Sequence, residues 1–214
     1  MVKLTKRPLP DGVTIQSEND YRKGIVLQML AEDCHNKCYI CENKPLDINI
    51  EHIVSHRGDI SKKYDWDNLF IACSYCNGIK GQRFNNILNP VTCDPEKHIT
   101  LSLKMSDGLI ESVQIEISQG SEIDESVLET AELLEYVYNG NFTEMKNLGA
   151  ANLRNEYLLP DMQHFLNYIV NHMLEPDLGY DVFIMREISR SAKFAAFKRK
   201  IIGDTPFADY LQEA

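Results

Sequence analysis

Four cysteines stand in two Cys-x-x-Cys pairs, Cys38/Cys41 and Cys73/Cys76. Each pair is a tight turn carrying two soft sulfur donors, and two such turns supply the four thiolates that suit tetrahedral Zn²⁺. A single pair could be a redox motif or chance, but two in one short segment predict a structural zinc. Cys34 makes only a rival Cys-x3-Cys spacing with Cys38, and Cys93 reads as an unligated thiol. Glu51-His52 and Trp66-Asp67-Asn68-Leu69 lie between the pairs, and Asn77, Lys80 and Arg83 follow the second. If zinc joins the two turns, the chain between them becomes a closed loop that can fold Glu51-His52 back beside Asn77. Residues 50–54, IEHIV, read as a short strand, and NGIKGQR opens a helix. Neighbours in a strand point to opposite faces, so Glu51 and His52 serve one site only where the strand is distorted or ends.

These residues carry a family resemblance. CYIC…IEHI…WDNLFIACSYCNGIKG, over about residues 38 to 83, resembles the HNH nuclease signature in its zinc-knuckle form, with Asn in place of the final His. More loosely, KRPLP, LNPVTCDPEKHI and the helical C-terminal half are similar to the HNH subunit of Septu-type and retron-associated anti-phage systems. In those systems the nuclease works with an ABC/SMC-like ATPase. The resemblance implies a ββα-metal core that hydrolyses DNA phosphodiesters. Such chemistry needs a base for water, and His52 suits it because imidazole titrates near neutrality. It also needs a hard cation, Mg²⁺ or Mn²⁺, for which Glu51 and the Asn77 amide oxygen are the implied ligands. Asn68 is implied to tie the long loop to the backbone and hold His52 in orientation. Lys80 and Arg83, about one helical turn apart, are expected to face substrate phosphates, with His56 as a further candidate contact. The wider family more often has Asp before the catalytic His, so Glu51 adds a methylene and leaves the metal geometry open.

Plainer roles exist for several of these residues. Asn68 fits an ordinary turn, Asn77 a helix cap, His56 a solvated loop, and Trp66 a core anchor rather than a base-stacking platform. Two other functions fit the same residues. One is a zinc-ribbon-like module that binds nucleic acid or protein without turnover, and the other is a nuclease acting on RNA such as tRNA.

The elements that must position these residues follow from composition and periodicity. The chain has 214 residues, 43% apolar and 25% charged, the balance of one soluble domain or a domain with an appendage. No apolar run approaches the roughly 18 to 20 residues of a membrane span, and the first residues lack the apolar stretch of a secretory signal, so a cytoplasmic protein is expected. The formal net charge of −10 argues against a uniform nucleic-acid-binding surface. Residues 105–145, however, hold ten acidic side chains and no Lys or Arg, which accounts for all of it. That segment, with Glu122, Glu125, Glu129 and Glu132, is expected to turn away from substrate, into water or onto a basic partner. Residues 186–200 carry six basic side chains against one Glu, either a solvated helix face or a phosphate contact.

The fold class is α+β: a zinc-clamped ββα-metal core with a β-hairpin and a mainly helical C-terminal half. Four segments are expected. Residues 1–33 form an irregular arm and a short helix over 21–33, with Ile25, Val26, Met29 and Leu30 at helical spacing. Residues 34–100 form the core. Residues 101–121 form the hairpin around Ser106-Asp107-Gly108. Residues 122–214 are helical, with an inward stripe of Val127, Ala131, Leu134 and Tyr138 closed at Asn139-Gly140. Helices over 145–158 and 162–173 divide at Pro160, and a last one over 189–202 turns Phe194, Phe197 and Ile201 inward. Nothing in the residues bears on self-association.

Overall fold

Strand β2 (Leu69–Cys73) is buried along its whole length, and the fold is organised around it. In the computed structural model, residues 1–118, 120, 124–140 and 143–213 are described. β2 pairs antiparallel with β1 (Ile48–His52) in a register that sets Glu51 opposite Phe70 and His52 opposite Leu69. Two short helices precede this pair, α1 (Glu18–Arg22) and α2 (Gly24–Asp33). The loop between the strands carries α3 (Ile60–Lys63) and a 3-10 turn at Trp66–Asn68, and α4 (Ser74–Lys80) leaves β2 directly.

The expected helix over 21–33 is therefore two helices. Gly24 adopts φ +66, which turns the chain between them, and the register after the break buries Val26, Met29 and Leu30 but leaves Ile25 exposed. The first residues are irregular, as expected, yet well anchored. Met1, Val2 and Leu4 are buried, and the Lys6 ammonium lies 4.1 Å from the centre of the Trp66 ring while donating to the carbonyls of Trp66 and Leu69. Half-buried Trp66, donating from its indole to the Arg7 carbonyl at 2.9 Å, anchors the loop.

The hairpin forms where alternation placed it, with β3 (Ile99–Ser106) paired to β4 (Leu109–Ile117). Its two-residue turn takes positive φ at both positions, Asp107 at 50° and Gly108 at 78°, the geometry that matches strand twist. Helix α5 (Glu125–Asn139) packs on β4, burying Val127, Leu134 and Tyr138, and ends at Gly140 with φ +93.

Beyond it the helix boundaries differ from expectation. α6 (Glu144–Asn152) runs through a π-helical stretch, Leu153–Leu158, straight into α7 (Leu159–Leu174). Pro160 does not divide them: the chain stays helical through it, and the π-helical turn just before it is where the regular hydrogen-bond ladder is interrupted. The segment 189–202 is not one helix either. α8 (Tyr180–Ile188) ends before it and α9 (Ala195–Gly203) begins inside it, after Phe194 in the left-handed region at φ +49. Phe194 and Phe197 are nonetheless buried, and Ile201 packs against the core. A short α10 (Tyr210–Glu213) follows.

Hydrogen bonds of three residues clamp this half to the first cysteine turn. Tyr138 donates to the Cys41 carbonyl at 2.9 Å, the Ala196 N–H donates to Glu42 Oε2 at 3.2 Å, and Lys37 donates to the Arg190 and Ala192 carbonyls at 2.6 and 2.8 Å. The basic residues of 186–200 are used internally. Lys198, fully buried, pairs with Asp161 and Glu187, while Arg190 and Arg199 pair with Asp94 and Glu96. No helix among the described residues is long and apolar enough to cross a membrane.

Candidate active site

The two cysteine turns meet. The sulfurs of Cys38, Cys41, Cys73 and Cys76 all lie within 4.8 Å of one another, and all four residues are buried. The Cys41 and Cys73 sulfurs are 3.9 Å apart, close to the ~3.8 Å that four Zn–S bonds of about 2.3 Å impose on a tetrahedron. Local backbone explains the convergence. Glu42 at φ +61 lets its N–H reach back to the Cys38 carbonyl at 2.8 Å, closing the first turn. Cys73 ends β2 and caps α4, its sulfur accepting from the Cys76 N–H at 3.4 Å. Four thiols this close cannot all ionise unaided. Hydrogen bonds with Cys38 and Cys73 push the Cys41 thiol up, and burial pushes Cys76 up. A soft divalent cation relieves both, and the donor set fits Zn²⁺. Cys34 lies outside the cluster, buried with its thiol pushed up to about 11 by desolvation, and the Cys93 thiol donates to the Asn89 carbonyl at 3.1 Å.

His52 is the last residue of β1, so the strand ends where Glu51 and His52 must share a site. Its Nε2 lies 2.9 Å from the Lys63 carbonyl oxygen. A carbonyl can only accept, so Nε2 carries the proton and Nδ1 keeps the lone pair. Burial pulls the His52 imidazolium below its ordinary range, against the opposing effect of that hydrogen bond.

Asn68 holds the acceptor loop in place. Its Oδ1 accepts from the Val54 N–H at 2.8 Å, while Nδ2 donates to the carbonyls of Val54 and Lys62, both at 2.9 Å. The side chain is buried with both amide hydrogens and its oxygen engaged, and Lys62 is the residue before Lys63.

Glu51 faces inward, and its Oε1 accepts from Lys80 at 2.7 Å. Lys80, with no exposed surface, also donates to the His52 carbonyl at 2.8 Å. Burial raises the Glu51 carboxyl and Lys80 opposes the rise. Oε2 has no hydrogen-bond partner among the described residues, and neither has the half-buried Asn77 side chain. Glu51, His52 and Asn77 line one open cavity of about 290 Å³. Two oxygen donors without protein partners, beside an imidazole, fit a hard divalent cation.

Other expected contacts are placed differently. Lys80 does not face a phosphate path, because its ammonium is spent on Glu51 and His52. Helix α4 stops at Gly81, φ +46, so Arg83 is not on a common helical face with Lys80. Arg83 pairs with Glu132 and with the Tyr136 hydroxyl. The acidic stretch is thus not a free outer face: Glu129 accepts from the Asn86 N–H at 2.9 Å and Glu125 from the Asn86 side chain at 3.3 Å, holding the loop after α4. Glu122 lies outside the described residues. His56 does line the cavity, its ring centre 4.8 Å from that of His52 and its Nδ1 accepting from the Gly58 N–H.

Sequence reasoning missed Glu18, Tyr21, Arg22 and Lys63, which also line the cavity. The first three come from α1, outside the motif, and only the basic excess of the first 24 residues hinted at them. The Lys63 contribution to His52 is a backbone carbonyl, which every residue type shares.

Comparison with known proteins agrees with this geometry. Residues 38–83 match the family model of the HNH endonucleases. The chain is similar to Septu protein PtuB of Bacillus thuringiensis, 30% identical over 107 residues that cover 46% of this chain and 39% of that protein. The chain thus spans about two fifths of the length of the curated relative it matches. No solved structure matches it.

Proposed function

We propose that this PtuB-like chain, with its HNH endonuclease domain at residues 38–83, is a metal-dependent endonuclease that hydrolyses DNA phosphodiesters with His52 as general base. The observation that carries the reading is the orientation of His52. With Nε2–H tied to the Lys63 carbonyl, the basic Nδ1 is left for the cavity that Glu51 and Asn77 also line.

His52 takes a proton from water at Nδ1, and the Lys63 carbonyl steadies the imidazolium that results. Because burial disfavours that charged form, the ring is neutral and ready at physiological pH. Glu51 Oε2 and Asn77 Oδ1 are the residues that would hold Mg²⁺ or Mn²⁺. When bound, such a cation supplies Lewis-acid stabilisation of the phosphorane and of the departing 3′ oxygen. Asn68 keeps the Lys63 carbonyl where His52 needs it. Zn²⁺ on Cys38, Cys41, Cys73 and Cys76 has a separate, structural task, since all four ligands are protein sulfurs and leave no position for substrate.

The similarity to a Septu protein supports a further part of the reading, that the chain is the nuclease subunit of a Septu- or retron-type anti-phage complex working with an ABC/SMC-like ATPase. A plasmid-nicking assay with Mg²⁺ or Mn²⁺ tests the core of the proposal, comparing wild type with His52→Ala, with and without an ATPase encoded beside it. Equal nicking by both proteins would remove His52 from the chemistry.

A further inference from the structure

Three charged side chains in the His52 cavity have no part in the reading above: Glu18, Arg22 and Lys63. They form one bridged unit. Glu18 Oε1 lies 2.7 Å from Lys63 Nζ, and Glu18 Oε2 lies 3.1 Å from Arg22 Nη2. One carboxylate therefore joins two cations, one through each oxygen. A phosphodiester presents the same pattern, with one negative charge spread over two non-bridging oxygens on a single atom.

The position of the unit matters as much as its charge. Lys63, Glu18 and Arg22 line the same cavity as His52, so an anion held on the Lys63 ammonium shares that cavity with the proposed base. Neither pair is fully buried, and Lys63 is the most covered of the three, its side chain 23% exposed. The Glu18 and Arg22 side chains are 45% and 63% exposed, and their pairing at i, i+4 on a five-residue helix contributes little to stability. Glu18 is thus a weakly committed anion in a position suited to a phosphate. In a chain of net charge −10, local cations beside the cavity have to offset a repulsive overall field before a polyanion can approach.

We propose that Arg22 and Lys63 form a phosphodiester-binding clamp beside His52, and that Glu18 occupies it as an internal placeholder which the substrate backbone displaces. The identity of the ligand as a nucleic-acid backbone rests on the nuclease reading. The clamp itself rests on the bridged geometry.

Binding of a short fluorescein-labelled DNA duplex, followed by anisotropy on the zinc-loaded full chain without added Mg²⁺ or Mn²⁺, separates binding from cleavage. Glu18→Gln keeps the shape and removes the competing charge, and it should tighten binding by about three- to tenfold. Arg22→Ala and Lys63→Ala should each weaken binding by a similar factor and lower the slope of log K against log salt by about one. Combined with Arg22→Ala, Glu18→Gln should lose most of its gain. Tighter binding by Glu18→Gln where wild type binds too weakly to measure also supports the clamp. Unchanged binding by Glu18→Gln overturns it. So does a lowered melting temperature with unchanged binding, which makes Glu18 merely a pin between α1 and α3. If these shifts appear while wild type never nicks DNA, the clamp stands and the nuclease reading falls. If wild type nicks while the variants bind normally, the clamp alone falls.

Discussion

The Lys80 ammonium lies 2.7 Å from Glu51 Oε1 and 2.8 Å from the carbonyl oxygen of the next residue, His52. One buried cation from α4 therefore fixes both the proposed metal-binding carboxylate and the backbone of the proposed base. Charge pairing in the interior is costly to break from one side, because the partner left behind stays desolvated.

Lys80→Met should accordingly lower stability by about 3 to 5 kcal/mol, read from urea unfolding. Neutralising both partners, Glu51→Gln with Lys80→Met, should cost less than Lys80→Met alone. The opposite order would mean that the pair contributes through packing rather than charge.

The cysteine cluster leads to an analytical prediction. Freshly purified, untagged protein should contain one tightly held zinc per chain, found by elemental analysis. Cys73→Ser should yield insoluble or partly unfolded protein, and a strong chelator should lower the melting temperature, because metal binding and folding share one free energy. Zinc-free protein with an unchanged melting temperature would exclude a structural metal.

His52 and Asn68 should separate on two axes. His52→Ala should reduce cleavage by about 10²- to 10⁴-fold and leave zinc content and melting temperature unaltered. Asn68→Ala removes three hydrogen bonds from a buried position, strands the Val54 N–H and the Lys62 carbonyl, and should cost roughly 2 to 3 kcal/mol of stability as well as cleavage rate. Normal cleavage by stable Asn68→Ala would sever the proposed link between that residue and His52.

Cleavage should also depend on pH with a definite sign. His52 must be unprotonated to act, and burial pulls its pKa below the ordinary 6.5. As pH falls from about 8, the rate should drop with a midpoint below 6.5, as the ring gains its proton. The acid limb should be missing from the residual activity of His52→Ala. A midpoint above 6.5 would point to a different titrating group.

The residues that meet here were legible to different degrees. Spacing named the four cysteines that the fold gathers, since two short turns joined by a loop suffice for that. Alternation and turn chemistry placed the hairpin at Asp107-Gly108, and the apolar stripe of α5 was visible in Val127, Leu134 and Tyr138. These are local properties, carried by side-chain type and period. The break at Gly24, the continuity through Pro160 and the left-handed Phe194 are not, because surrounding packing decides whether a local preference is obeyed.

The sequence alone thus determined which side chains were available around residues 38–83. Tertiary structure alone decided that Lys80 turns inward to Glu51, that the acids of α5 hold the loop of Arg83 and Asn86, and that α1 brings Glu18 and Arg22 to His52. A charge finds its partner across distances in sequence that no spacing encodes, and the atom that orients His52 is a backbone oxygen of Lys63, identical in every residue and given its role only by where the fold puts it.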